Sequence, residues 1–169
     1  SFDMPQQQQQ QQQQPRLLKP PSMYHSYRGN VKTQDVFGRQ MERLRKAGQR
    51  YRVLYPGSDD FELERMDMLN HDSICTPCLI LQPRSAHEVS SCIRGYTSGV
   101  HRCLWENKRR GENHAIPRLC VAGGRHSIQA MKEGAIVLDL GLMKKVSVDV
   151  HNLFATVQGG ARVVDLDNQ

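Results

Sequence analysis

Long apolar runs, aromatic residues and pairable cysteines are all scarce in this chain of 169 residues. The longest apolar candidates, Leu79-Ile80-Leu81 and Ala135-Ile136-Val137-Leu138, are strand-sized and far short of the roughly 20 residues of a membrane span. Ser1-Phe2-Asp3-Met4-Pro5 leads into glutamine rather than an apolar stretch, so no secretory signal is visible. Five cysteines, at 75, 78, 92, 103 and 120, cannot all pair within one chain and are too sparse for a disulfide scaffold. Aromatics reach only 6%, which leaves few stacking platforms for nucleic acid. Several chemistries also lack their signatures. There is no GxGxxG, no Gly-Lys-Ser/Thr of a P-loop, no HExxH, and no Ser/His/acid triad that spacing alone assembles. Cys75-Thr-Pro-Cys78 is a lone CxxC with no second pair and no nearby histidine cluster, which argues against zinc or redox work. The base expectation is one soluble globular domain with reduced thiols.

Positive charge is present but dispersed. Lys and Arg number 23 against 17 Asp and Glu, a net charge of +6. Residues 1–30 carry Arg16, Lys19 and Arg28 against Asp3, and the remaining charge is spread over the rest. Only Arg39–Arg50 and Lys108-Arg109-Arg110 form local concentrations. A nucleic-acid binder gathers such charge into one face or stripe, so solvated surface is the better reading of both.

Residues 1–30 read as a tail. Nine glutamines, Gln6–Gln14, stand between Pro5 and Pro15, with Pro20-Pro21 beyond. Such a segment has little to bury against its conformational entropy and is expected to be disordered. Residues 31–50 hold an amphipathic basic helix, expected over 33–48. Phe37, Met41 and Leu44 recur at helical spacing, Thr33 or Asp35 can cap its start, and Gly48 suits its end. Residues 51–169 alternate in texture. Tyr51–Tyr55 is a short strand stopped by Pro56-Gly57, and Cys78–Gln82 is a buried strand ended by Pro83. Ser85 and Glu88 offer a capping box for a helix through Tyr96, with Gly99 near its end. Residues 100–117 read as a polar, basic surface insertion. Strands are expected at 119–122, 135–140, 146–149 and 154–158, and a helix opens at 161–166. Strand, turn and helix in this order begin a βαβ unit.

The stretch with chemical content is Val121-Ala122-Gly123-Gly124-Arg125-His126-Ser127-Ile128. Two glycines after a buried strand permit positive φ and close approach to a ligand. Successive N–H groups in such a turn form a nest suited to a pyrophosphate. Arg125 could add charge, and Ser127 a hydroxyl. Taken alone, Gly-Gly after a strand is more often a tight turn. Asp139, ending an apolar strand, reads as a turn-former. Gly159-Gly160 before a helix suits an anion or a simple strand-to-helix turn equally well.

A longer order of motifs decides between these readings. Cys-Thr-Pro-Cys-Leu-Ile-Leu-Gln-Pro-Arg-Ser-Ala begins at Cys75 and is followed by a helix, then Gly-Gly-Arg-His-Ser. Glu-Gly-Ala-Ile-Val-Leu-Asp-Leu, Met-Lys-Lys-Val and Ala-Thr-Val-Gln-Gly-Gly-Ala-Arg come next. This closely resembles the N-terminal half of the flavin-binding domain in the vanillyl-alcohol oxidase / p-cresol methylhydroxylase (PCMH) family, of the berberine-bridge-enzyme and cytokinin-dehydrogenase type. The likeness extends over about residues 52–167. It implies an α+β fold, the first subdomain of a two-subdomain FAD-binding unit, and a chain that stops as the second subdomain begins. By the resemblance Gly123, Gly124, Arg125, His126 and Ser127 form the pyrophosphate loop, with Gln129 a further contact. His126 matches the histidine that bonds covalently to flavin in many members. Two features depart from the family. Arg125 stands where a glycine is usual, and Ile128-Gln129-Ala130 follows where a glycine is common.

The implied function is an FAD-dependent oxidoreductase. It would take a hydride from a small organic substrate, with O₂ or another electron acceptor reoxidising the flavin, and with neither nucleic acid nor a membrane span involved. By itself the segment is expected to leave flavin half-enclosed and apolar faces uncovered. The rival is a non-catalytic scaffold protein on a degenerate flavin fold. No catalytic residue, substrate or compartment is named by the sequence.

Overall fold

The computed structural model describes residues 31–168, with side chains from Asp35 onward. The expected tail, residues 1–30, lies outside the described residues. The fold mixes helices with two sheets, in keeping with the α+β expectation. Its elements are α1 (Val31–Lys46), β1 (Arg52–Leu54), α2 (Asp59–Met66), β2 (Leu79–Gln82), α3 (Ala86–Arg110), β3 (Leu119–Ala122), β4 (Ile136–Asp139), β5 (Val146–Asp149), β6 (Phe154–Val157) and α4 (Val163–Asp167). A 3₁₀ turn, His71–Ser73, precedes β2.

The main sheet runs β1-β2-β4-β3, and β5 pairs only with β6. β4 lies parallel to both β2 and β3, while β1 is antiparallel to β2. The strand–helix–strand unit foreseen from Cys78 onward therefore closes with β4 inserted between its two strands. Strand alternation then sorts the core into two layers. Leu79 and Leu81 of β2, with Ile136 and Leu138 of β4, face α1 and α3 and pack with Phe37, Met41 and Cys92. Ile80 and Val137 face the other way, against Phe61 of α2 and Met131 of the loop before β4. Every residue of β2 and β4 is buried, as parallel strands covered on both faces require.

α1 starts and ends two residues before the expected bounds, and Gly48 lies just beyond it at φ +97°. α3 departs from expectation. It runs 25 residues to Arg110, capped by Ser85 and closed by Gly111 in the left-handed region. Residues 100–110 of the supposed insertion are thus helix, because Cys92, Tyr96, Val100 and Cys103 carry the apolar stripe onward. Gly99 lies mid-helix, where α1 comes close. A Cβ there would stand 2.5 Å from the Phe37 ring. The capping box is also altered: Glu88 accepts from the N–H of Arg84 rather than that of Ser85.

Candidate functional site

The loop Gly123–Ser127 leaves the carboxyl end of β3, beside the carboxyl end of β4, where Ala122 pairs with Asp139. Parallel α/β sheets place their ligand crevices at this edge. The main-chain N–H groups of Gly124, Arg125, His126 and Ser127 make no hydrogen bond among the described residues. Ser127 Oγ accepts from the N–H of Gln129 at 3.0 Å, and the Ser127 carbonyl accepts from that of Ala130. The loop is thereby turned without using its leading donors. His126, Ser127 and Gln129 are exposed, and Gly123 and Gly124 are half-buried.

Gly123 is needed for close packing. A Cβ there would lie 2.6 Å from the carbonyl oxygen of Gly159. Gly160 is tighter still, since a Cβ would fall on the Leu140 carbonyl, and its N–H donates to Met143 O. The Gly159-Gly160 pair is therefore a turn packed onto the β4 exit, which favours the turn reading over the anion reading.

Arg125 takes an unexpected place. It has φ +61°, a conformation natural to glycine, and its side chain is only 4% exposed. The guanidinium points away from the open side of the loop, into a cluster of carboxylates. It meets Asp139 Oδ2 at 2.7 Å, Asp67 Oδ2 at 2.8 Å and the Glu64 carboxylate. Burial by itself would weaken the cation, but Asp139, then Glu64 and Asp67, outweigh it and hold the Arg125 pKa above its ordinary value. Its charge is consumed internally, and only its N–H remains for a ligand. Asp139 is more than a turn-former. Fully buried, it accepts from Arg125, from Gln82 Nε2 at 2.7 Å and from the N–H of Gly141 at 3.0 Å. Arg162 at the start of α4 joins the cluster through Asp67 at 2.8 Å.

A cavity of about 180 Å³ opens beside this cluster, bounded by Gln82, Gly123, Arg125, Gly141, Lys144 and Arg162 among others. The sequence reading had found only the loop side of this edge. Gln82, Glu64, Asp67, Lys144 and Arg162 were missed, although a glutamine closing the apolar run Cys78–Gln82 was a visible signal. The CxxC cysteines take no part. Burial, then Cys103, pushes the Cys78 thiol up to about 12, and burial, then Glu133, raises Cys75. Among the described residues no three His, Cys, Asp or Glu side chains gather as a metal site would require, and no helix is long and apolar enough to cross a membrane.

No protein-family model matches this sequence, and no curated protein matches it. Solved structures do. Glucooligosaccharide oxidase from Acremonium strictum, described as carrying a 6-S-cysteinyl, 8α-N1-histidyl FAD, superposes with a TM-score of 0.57 at 20% identity. That match covers 79% of this chain and 25% of the oxidase. 6-Hydroxy-D-nicotine oxidase from Arthrobacter nicotinovorans gives 0.50 at 25% identity, over 70% of this chain and 23% of its own. A berberine bridge enzyme variant described as a reticuline dehydrogenase gives 0.53 at 22%, over 72% and 24%. The chain spans about a quarter of the length of these proteins. Its fold is that of a partial FAD-binding domain of the PCMH type.

Proposed function

We propose that this chain, with its partial PCMH-type fold, supplies the pyrophosphate-binding part of an FAD-dependent oxidoreductase. The observation that carries the reading is the Gly123–Ser127 loop. Its unpaired N–H groups sit at the carboxyl end of a parallel sheet, in a fold shared with FAD-linked oxidases. Backbone donors of this kind suit a pyrophosphate, and the missing side chains of Gly123 and Gly124 let the loop pack against Gly159 and beneath the His126 ring. Ser127, whose O–H donates to no acceptor among the described residues, can add a side-chain donor. Gln129 is a further contact candidate on the same exposed turn. Bound there, FAD supplies acceptance of a hydride from a small organic substrate and its delivery to O₂ or another acceptor. His126, exposed on the same loop, is the candidate for a covalent bond to the flavin 8α-methyl carbon. Catalytic and substrate-binding groups are not assigned within this chain.

One observation favours the second reading, a non-catalytic protein on a degenerate flavin fold. The residue replacing the usual loop glycine, Arg125, is locked into internal ion pairs rather than left for a phosphate. Flavin content separates the two. The protein is purified, examined for oxidised-flavin absorption, and precipitated with acid. Colour held in the pellet and lost in His126→Ala establishes the covalent link, whereas colour released to the supernatant means dissociable FAD. A protein that stays colourless after incubation with FAD sinks the oxidoreductase reading in favour of the scaffold.

A further inference from the structure

The outer face of α3 takes no part in the flavin loop. Cys92, Gly99 and Cys103 are buried, which sets His101, Leu104, Trp105 and Lys108 outward at i, i+3, i+4 and i+7. Leu104 is 51% and Trp105 59% exposed. Arg109 lies over the Trp105 ring, 4.9 Å from its centroid, in a cation–π contact, and is itself exposed. Arg102, one turn before Trp105, and Arg110 are exposed as well. A basic last turn complements the helix dipole, an effect that fades beyond that turn. It accounts for Lys108, Arg109 and Arg110, but not for Arg102 further back. Nor does it account for a leucine and an indole side by side in water.

α1 packs along α3 on the same face of the sheet and exposes Arg39, Arg43 and Lys46. The two basic concentrations of the sequence, far apart in the chain, therefore meet in one helical layer. Arg39, Arg43, Lys46, Arg102, Lys108 and Arg110 form no ion pair among the described residues. In the same helices Glu42 is held by Arg45 and Glu88 is buried, which leaves Asp35 and Glu106 as the opposing charges. Such a layer suits an anionic partner that also accepts apolar side chains. A nucleic-acid backbone meets only the first need, and Arg109 already covers one face of the indole on which a base would stack. Peptides are bound in grooves or along sheet edges, whereas this face is the convex side of a helix. We propose that the outer face of α3, with the basic residues of α1, docks the protein peripherally on an anionic lipid surface. Leu104 and Trp105 enter the headgroup boundary, to which an indole is suited. The Lys and Arg head groups meet the lipid anions. Two apolar anchors hold weakly without the charges, so binding depends on anionic lipid and falls with salt.

Trp105 is the one tryptophan of the chain, so its emission reports on this face alone. The full chain is mixed with vesicles of phosphatidylcholine, or of phosphatidylcholine and phosphatidylserine in equal parts. Flotation then separates vesicle-bound protein from aggregates, which sink. The expected result is flotation with the phosphatidylserine vesicles and a blue shift of Trp105 emission, both lost at high salt and on phosphatidylcholine alone. Arg102→Gln with Lys108→Gln should weaken binding about 20- to 30-fold, at about fivefold for each basic residue near an anionic surface. Trp105→Gln, at an exposed helical position, should weaken it severalfold and leave the melting temperature unchanged. A chain that stays in solution with the anionic vesicles overturns the proposal. So does flotation without a blue shift, or flotation that both variants leave intact. A duplex oligonucleotide or poly-glutamate bound where those vesicles are not overturns it in favour of a nucleic-acid or acidic-protein partner.

Discussion

Arg125 sets the energetics at the scale of the residue. A buried cation against three carboxylates is a weak guarantee of stability as a set, but removing one partner leaves an uncompensated buried charge. Asp139 is fully buried, so Arg125→Gly should cost about 3–5 kcal/mol. About 1 kcal/mol is regained because glycine adopts φ +61° without strain. Urea unfolding checks this, and a loss under about 1 kcal/mol would mean that solvent reaches Asp139 once the guanidinium is gone. The cysteines give a pH prediction. Burial, then Cys103 for Cys78 and Glu88 for Cys92, lifts both thiols from 9.0 to about 12. Protonated thiols bind more protons in the folded state across that window. Their contribution to stability is full below pH 9 and is lost as pH rises toward 12. Native protein at pH 8 should alkylate slowly at Cys78 and Cys92 and faster in urea, and mass spectrometry of the labelled sites would expose any error.

At the scale of the element, the α1–α3 contact depends on two small residues. A Cβ at Gly95 would meet Leu44 at 2.7 Å and Met41 at 2.9 Å, much as one at Gly99 would meet Phe37. Gly99→Ala gains up to about 1 kcal/mol of helix propensity, but overpacking costs typically 1–3 kcal/mol. A net loss is expected, with partial recovery when Phe37→Leu is added. Thermal unfolding of the single and double variants tests the coupling, and additive effects would place the two residues out of contact. The same glycines explain why the helix was foreshortened in the sequence reading. Gly99 looked like an end because glycine is a poor helix former, yet here its missing side chain admits a neighbouring ring. The α1 and Ser85 boundaries were legible because caps and apolar spacing are local signals.

Across the whole molecule, the β5–β6 ribbon is exposed along β6 and the middle of β5, while Val146 is buried. All four residues of β6 are exposed, Leu153 is 88% and Phe154 55% exposed, and Val163 of α4 is 73% exposed. Large apolar side chains left exposed in this way promote association, so the chain should self-associate as its concentration rises. Leu153→Asn with Phe154→Lys should reduce this in sedimentation velocity without lowering the melting temperature. Asparagine also tolerates the positive φ of position 153. Association unchanged in the double variant would show that the ribbon is not its cause.

The sequence by itself determined what is local. Runs of apolar residues gave the strands, capping residues gave most helix ends, and the glycine pair after β3 with the order of motifs pointed to the loop and its fold. These signals depend on near neighbours in the chain, so they survive without the fold. Only the tertiary structure decided what depends on distant pairing. It inserted β4 between β2 and β3, and it brought Glu64 and Asp67 of the α2 region to Arg125. It also buried Asp139 against Gln82, 57 positions away. An arginine in a glycine-rich loop reads as a phosphate ligand until three carboxylates from elsewhere neutralise it. A glutamine at the end of a strand reads as ordinary until its oxygen is found buried without a partner.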